Sequence, residues 1–420
     1  MIELRGRSEI AQIRAPLKKT VFRLEDHPEV SGSFQLVSTG TPRGFTPPLL
    51  SFSQDIDNWE GDLIIGPANM SYLKSGDVIG ITADGRFLDA LWRGNGTTNT
   101  LLLTERCDNY CLMCSQPPRD RSDDWLLDQA FEVISLMPEN ADEIGLSGGE
   151  PTLYGSRFIE LVAHVRSTLP VTALHILSNG RRFSDMSFAS EYARSSGDGT
   201  MVGIPIYGAE YSLHDYVVQA AGAFDETVDG ILNLGELGQS IEIRVVLHAL
   251  TAPHIVDIAR YIARNLPFVD QVALMGLEMM GLARHNLNRL WIEPIDYLED
   301  LAEATQILDS HGIRTYIYNH QLCTLHPDIW EFAVKSISDW KNEYDPVCSD
   351  CDVVADCGGF FHSAKYGSSS SIFPVLADGT PKFGSRSIPT VVSDSKIWSR
   401  RKIPLVPVEA SENGQIDDDH

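Results

Sequence analysis

From residue 99 onward short apolar runs alternate with amphipathic stretches, and this rhythm restricts the fold more than any other property of the chain. The runs are TLLLT (100–104), IGLS (144–147), ALHILS (173–178), MVGIPIY (201–207), IEIRVVL (241–247) and QVALMG (271–276). They read as six strands buried on both faces. Between them stand WLLDQAFEVISLM, FIELVAHVRS, FDETVDGILNLGEL and HIVDIARYIARNL, whose apolar residues fall on one helical face. Strand followed by helix, about every 30 to 40 residues, predicts parallel β/α units. Six units over 99–289 form an open sheet or a partial barrel. The site is expected at the C-terminal ends of the strands, where the loops meet on one face.

The flanks differ. Residues 1–98 are rich in Gly, Pro and β-branched residues and read as a small, mostly-β domain, with a hairpin at the ADG turn. Residues 290–362 add a helix (EPIDYLEDLAEATQIL), a strand (IRTYIY) and a cysteine-bearing segment. From 363 to 420 the chain turns to SSSS, DGTP and ENGQIDDDH, which reads as a loosely held tail.

Charge narrows the function classes. The 420 residues carry 33 Lys and Arg against 58 Asp and Glu, a net charge of −25. Such a surface repels polyphosphate, so general nucleic-acid binding is not expected. No window approaches 18 uninterrupted apolar residues, so no membrane-spanning helix is expected either. The start, MIELRGRSEI, lacks the apolar segment of a secretory signal, and a cytoplasmic location follows as the expectation. In a reducing compartment seven cysteines, an odd number, do not make a disulfide framework.

The cysteines fall into a group of three and a group of four. TERCDNYCLMCSQPP sets Cys107, Cys111 and Cys114 in a C-x3-C-x2-C array directly after the first strand. Three thiolates on one loop can hold three corners of a cubic iron–sulfur cluster and leave its fourth iron open. A structural zinc site asks for four closed ligands.

A C-x3-C-x2-C loop after the first β/α strand, with LSGGEPTLYG (146–155) after the second, resembles the radical S-adenosylmethionine (SAM) superfamily. The resemblance implies a 4Fe–4S cluster on Cys107, Cys111 and Cys114. SAM would be chelated at the open iron and cleaved reductively to a 5′-deoxyadenosyl radical. It also implies that Gly148 and Gly149 let the backbone approach the methionine end of SAM, and that Glu150 pairs with its amino group. Ser178 and Asn179, in LSNG, match the positions that contact the SAM ribose. Arg244, in IEIRVVL, matches a position used for the SAM carboxylate, and its alternative is an internal ion pair. Met113 departs from the pattern, which has an aromatic residue just before the third cysteine; Tyr110 stands nearby.

The second group, PVCSDCDVVADCGGFF, gives C-x2-C-x5-C with Cys348, Cys351 and Cys357. It resembles the auxiliary-cluster extensions of radical SAM enzymes that modify peptides. Cys323 would supply the fourth ligand, making two 4Fe–4S clusters in all, with structural zinc as the alternative for this second site.

TERCDNYCLMCSQPP, LSGGEPTLYG and the stretch from SISDWKNEY through CGGFF together resemble the His-Xaa-Ser system radical SAM maturases, over about 80–362. That resemblance implies a ribosomally made peptide bearing His-Xaa-Ser repeats as substrate. It further implies a second radical SAM maturase as partner and an electron donor such as flavodoxin or ferredoxin. The alternatives are a maturase of the sulfatase-activator type, a cofactor-biosynthesis enzyme, and, outside enzymes, a zinc-bearing scaffold. Tyr207, ending the fourth strand, reads as a rim tyrosine or a substrate contact. His214 and Asp215 read as a loop position or helix cap, and His175 and His248 as core or site-wall histidines.

Overall fold

The structure, a computed structural model, describes residues 4–380 apart from 14–15, 18–19, 41–46, 54–55, 57–58, 97 and 336–342. Most of the SISDWKNEY stretch and the chain beyond 380 therefore lie outside the described residues.

Eight short strands build the N-terminal sheet: β1 (Arg5–Arg7), β2 (Ile10–Gln12), β3 (Val21–Asp26), β4 (Ser33–Val37), β5 (Leu49–Ser51), β6 (Leu63–Ile65), β7 (Val78–Ile81) and β8 (Phe87–Trp92). Their order is β1-β8-β7-β3-β4-β5-β6-β2. β1 and β2 are consecutive in the chain yet lie at opposite ends of that order. Between them Ser8 N donates to Arg86 O and Glu9 N to Ile65 O, both at 2.8 Å. One extended segment thus pairs with both edges and closes the sheet, which removes the open edges that would otherwise recruit other chains. The expected hairpin is β7–β8, antiparallel across the ADG turn.

The enclosed core holds Phe22, Leu24, Leu36, Leu50, Ile64, Ile79 and Leu88. Val21, Val78 and Trp92 belong instead to the large core of the following segment, together with Leu127 and Ala130. Those two residues sit on α1 (Asp124–Leu136). The sheet is therefore packed onto the β/α part, although the sequence changes character at 98–99.

The second sheet is wholly parallel and runs in chain order: β9 (Thr100–Leu102), β10 (Glu143–Ser147), β11 (Ala173–Leu177), β12 (Thr200–Pro205), β13 (Ser240–Leu247), β14 (Gln271–Gly276) and β15 (Arg314–Tyr318). Helices α2 (Ser156–Thr168), α3 (Met186–Ser196), α4 (Tyr211–Val218), α5 (Ala223–Glu236), α6 (Ile255–Asn265), α7 (Gly281–His285), α8 (Leu287–Leu290) and α9 (Leu298–Ser310) make the crossovers. The sequence placed the strand IRTYIY in the C-terminal extension. It instead pairs in parallel with β14, Ala273 facing Tyr316, and is the seventh strand of this sheet. The physical reason is the same two-sided burial that made the other six: Ile317 packs with Leu301 and Leu308 of α9 in the main core.

Alternation decides what faces the interior. On β13, Ile241, Ile243, Val245 and Leu247 are buried toward the helices, and Glu242, Arg244 and Val246 point to the other side.

The tail expected from 363 is held more firmly than composition suggested, as far as residue 380. Ser369 Oγ donates to Glu293 Oε2 at 2.7 Å. Val375 is 1% exposed and belongs to the main core. Polar composition misled here because the serines bind a carboxylate and one valine is buried. Residues 381–420 lie outside the described residues.

Candidate functional site

The chain leaves β9 through Leu103 and Thr104 into the loop of Cys107, Cys111 and Cys114. One buried carboxylate organises its start. Asp123, 1% exposed, accepts from Thr104 Oγ1 (2.9 Å), Glu105 N (2.5 Å), Arg106 Nε (3.1 Å) and Tyr154 Oη (3.1 Å). The Arg106 guanidinium also lies 5.0 Å from the centre of the Tyr154 ring. The far side of the loop hangs on two other elements. Tyr110 N and Leu112 N each donate at 2.9 Å to Val218 O and Val217 O, at the end of α4. Leu282 N, in α7, donates to Cys114 O at 2.8 Å. Met113 is buried in the apolar cluster that joins these pieces, while Tyr110 is exposed.

The GGEP segment meets this loop directly. Gly149 N donates to Thr104 O and Glu150 N to Arg106 O, both at 2.8 Å. A Cβ on Gly149 would stand 2.1 Å from Arg106 O, and one on Gly148 2.5 Å from Thr104 O. The two glycines thus allow the cysteine loop to cross the end of β10 at backbone distance.

Glu150 is 1% exposed. Its Oε1 accepts from Thr152 N (3.0 Å), Thr152 Oγ1 (2.7 Å) and Ser178 Oγ (2.8 Å), and its Oε2 from Asn179 N (2.5 Å). Burial raises its pKa, opposed by those hydrogen bonds. A neighbouring cation would favour the ionised form. Asn179 also carries the contact back to the loop, its Nδ2 donating to Asp108 Oδ1 at 2.6 Å. Arg181 adds donations to Asp108 O (2.8 Å), Asn109 Oδ1 (2.9 Å) and Glu226 Oε2 (2.6 Å). The ends of β9, β10 and β11 thereby bring Cys107, Cys111, Cys114, Gly148, Gly149, Glu150, Ser178 and Asn179 to one place.

Arg244 stands apart from that network. Its guanidinium pairs with Glu242 two residues back on β13 and lies 3.2 Å from Met275 Sδ. Glu242 also accepts from Gln271 Nε2 at 2.6 Å, and His175 Nε2 is 3.8 Å away. This is the internal ion pair weighed as the alternative for Arg244.

Tyr207 lies nearer the cysteines. Burial raises its pKa, and Cys111 and Cys114 raise it further. It is flanked by His214 and His248, with ring centres 5.8 and 6.5 Å away. His214 Nδ1 accepts from Tyr207 N (3.2 Å) and His248 Nδ1 from Leu250 N (3.3 Å). Burial pushes these imidazoles down to about 4 and about 3, so both are neutral near pH 7. Asp215 accepts from Gly222 N (2.7 Å) and Phe224 N (2.8 Å) at the start of α5, a capping role.

The second cysteine group lines a separate small cavity, with Cys323, Cys348, Cys351 and Cys357 all in its wall. Burial pushes the Cys323 thiol up to about 12, and the other three cysteines add to the shift. Cys107 is likewise pushed up to about 12 by burial, and Cys111 and Cys114 are raised for the same reason. Thiols raised in this way, Cys107, Cys111, Cys114 and Cys323 among them, are costly to ionise unless a cationic centre receives the thiolates. That donor chemistry fits metal centres at both places. Among the described residues no His, Cys, Asp and Glu side chains are gathered closely enough to hold a single metal ion.

A cleft adjoins the second cavity. It runs from Leu247, Gly276 and Asn319, at the ends of β13, β14 and β15, to Phe361, and shares Gln321, Gly359 and Phe360 with the second cavity.

Sequence reasoning missed Asp123, Tyr154 and Arg181. Asp123 carried only the signal of an acid ahead of a helix. Tyr154 stood inside the quoted LSGGEPTLYG without a role.

Residues 101–262 match the family described as the Radical SAM superfamily, and the chain carries a radical SAM domain over those residues. Among solved structures, Streptococcus suis SuiB bound to S-adenosylmethionine matches at 14% identity, over 55% of this chain and 52% of that chain, with a TM-score of 0.42. Native anSMEcpe with bound AdoMet matches at 17% identity, over 52% and 62%, with a TM-score of 0.42. A radical SAM methyltransferase from Sphaerobacter thermophilus matches at 15% identity, over 58% and 73%, with a TM-score of 0.42. The chain spans about half the length of the SuiB structures it matches. No curated protein matches its sequence. No helix among the described residues is long and apolar enough to cross a membrane.

Proposed function

We propose that this chain is a radical SAM enzyme that modifies a ribosomally made peptide bearing His-Xaa-Ser repeats. The observation that carries the reading is the junction of the two motifs. The Cys107–Cys111–Cys114 loop and the GGEP segment are joined by backbone hydrogen bonds at the C-terminal ends of parallel strands. Cys107, Cys111 and Cys114 would hold a 4Fe–4S cluster which, with SAM bound, would supply radical abstraction of hydrogen from the substrate.

The protein's own part is to bind and to aim. Cys107, Cys111 and Cys114 hold the first cluster. Gly148 and Gly149 keep the loop at backbone distance, and Glu150 offers a buried carboxylate to the SAM ammonium. Ser178 and Asn179, already on that carboxylate, lie where the ribose would pass. Arg244 is left to its pairing with Glu242 unless SAM draws it away.

Cys323, Cys348, Cys351 and Cys357 hold a second 4Fe–4S cluster. The C-x2-C-x5-C spacing with Cys323 supports a cluster, with structural zinc as the alternative. The cleft at the ends of β13, β14 and β15 gives a peptide a place beside the second centre. The −25 charge favours a basic or His-rich peptide. A flavodoxin or ferredoxin serves as electron donor, and a second radical SAM maturase acts on the same peptide.

The test is anaerobic reconstitution with metal counting, then an assay with SAM, reductant and a His-Xaa-Ser peptide. About eight irons per chain, deoxyadenosine and a modified peptide are expected. Deoxyadenosine without any change in such peptides overturns the substrate. No deoxyadenosine from iron-replete protein overturns the enzyme.

A further inference from the structure

The stretch SSSSIF and the residues after it have no part in the reading above, yet they cover the second cysteine group. Ile372 and Phe373 line its cavity. Phe373 and Cys323 stand in the wall of the same cavity. Val375 O accepts from Asp352 N at 3.0 Å, and Cys351 Sγ lies 3.8 Å from the same oxygen. The strap is therefore attached beside Cys351, just downstream of Ile372 and Phe373.

Its upstream end is clasped. Ser369 Oγ donates to Glu293 Oε2 at 2.7 Å, and Ser370 N lies 3.2 Å from the same oxygen. Ser369 is 9% exposed. Glu293 precedes α9, so the clasp ties the strap to the β/α part and not to the cysteine segment itself. Its downstream end is anchored by Val375 in the main core.

We propose that residues 369–375 form a clasped strap that seals the second metal centre from water and oxidants. Phe373 is the plug, and the Ser369–Glu293 hydrogen bond is the latch. The proposal rests on the reading of Cys323, Cys348, Cys351 and Cys357 as one metal centre. An apolar cover tunes such a centre by solvent exclusion. Neither Ser369 nor Phe373 supplies a ligand atom from its side chain, so replacing them leaves the donor set complete.

The experiment uses the full reconstituted chain and follows metal released to a chelator in air. Total iron and zinc in the unmodified protein are counted first, which tells separately whether the second centre is iron–sulfur or zinc. Release from the second site is identified as the phase missing from Cys348→Ala. Ser369→Ala and Phe373→Ala are expected to speed that phase roughly tenfold, as loss of one hydrogen bond to a carboxylate or one apolar cover would. The phase from the first site should be unchanged. Ser369→Thr and Phe373→Leu, which keep the hydroxyl and the apolar bulk, should restore slow release. Equal release from all four variants and the parent overturns the strap. So does a uniform acceleration at both sites, which marks general loosening of the fold.

Discussion

At the scale of single residues, the first cysteine loop depends on groups that never touch the metal. Asp123 takes four hydrogen bonds in a site from which water is excluded. Asp123→Ala leaves those donors unpaired, so we expect a loss of stability of about 3 kcal/mol and iron lower by one cluster. Thermal unfolding and iron counting check both. Gly149→Ala puts a methyl group 2.1 Å from Arg106 O. The loop must then retreat from the GGEP segment, and SAM-dependent deoxyadenosine formation should vanish even where the protein still folds. Arg244 poses a sharper question. Arg244→Met alone strands the buried Glu242 charge and should cost about 3 kcal/mol, whereas Arg244→Met with Glu242→Gln should recover most of it. Calorimetric titration with SAM then separates the roles. Unchanged SAM affinity in the double variant assigns Arg244 to the ion pair, and a loss of tenfold or more assigns it to the SAM carboxylate.

At the scale of elements, the loop is a short irregular segment suspended from regular ones. The end of α4, the start of α7 and the turn after β10 each satisfy part of its backbone, so its shape is set by elements more than 30 residues apart in sequence. The N-terminal sheet relies on another long-range arrangement. Removing residues 1–12 takes away both β1 and β2 and uncovers the edges of β8 and β6. Concentration-dependent association should follow, measurable by light scattering. Surface pairing between helices is a contrasting case. Arg260 and Glu303 join α6 and α9 at 2.6 Å, but both side chains are more than half exposed. Arg260→Ala should shift stability by no more than about 0.5 kcal/mol. At this scale the strands and main helices of 99–289 were legible, because two-sided burial and helical spacing leave a periodic mark on composition. β15 was legible as a strand but not as a member of the sheet. The cysteines that follow it drew the boundary too early.

At the scale of the whole molecule, two groups of cysteines occupy two places, the second of them beside a cleft. Reconstituted protein should lose about four irons on replacing Cys348 and Cys351 by Ala, and keep uncoupled SAM cleavage. Iron counting and deoxyadenosine assay check this; loss of both together would show that the two centres stand or fall as one. The amino-acid sequence by itself determined the β/α rhythm and the division of the cysteines into three and four. Its C-x3-C-x2-C and GGEP motifs also carried the resemblance to the radical SAM superfamily, since residue type and spacing within one loop are local properties. Only the tertiary structure decided that Glu150 is held among Thr152, Ser178 and Asn179, that Arg244 turns to Glu242, and that Asp123 anchors the loop. It alone joined β1 and β2 across a closed sheet and laid the serine-rich strap over the second site. These outcomes depend on which distant groups share a buried space. Hydrogen bonding and desolvation act there over a few ångströms in space, whatever the separation along the chain.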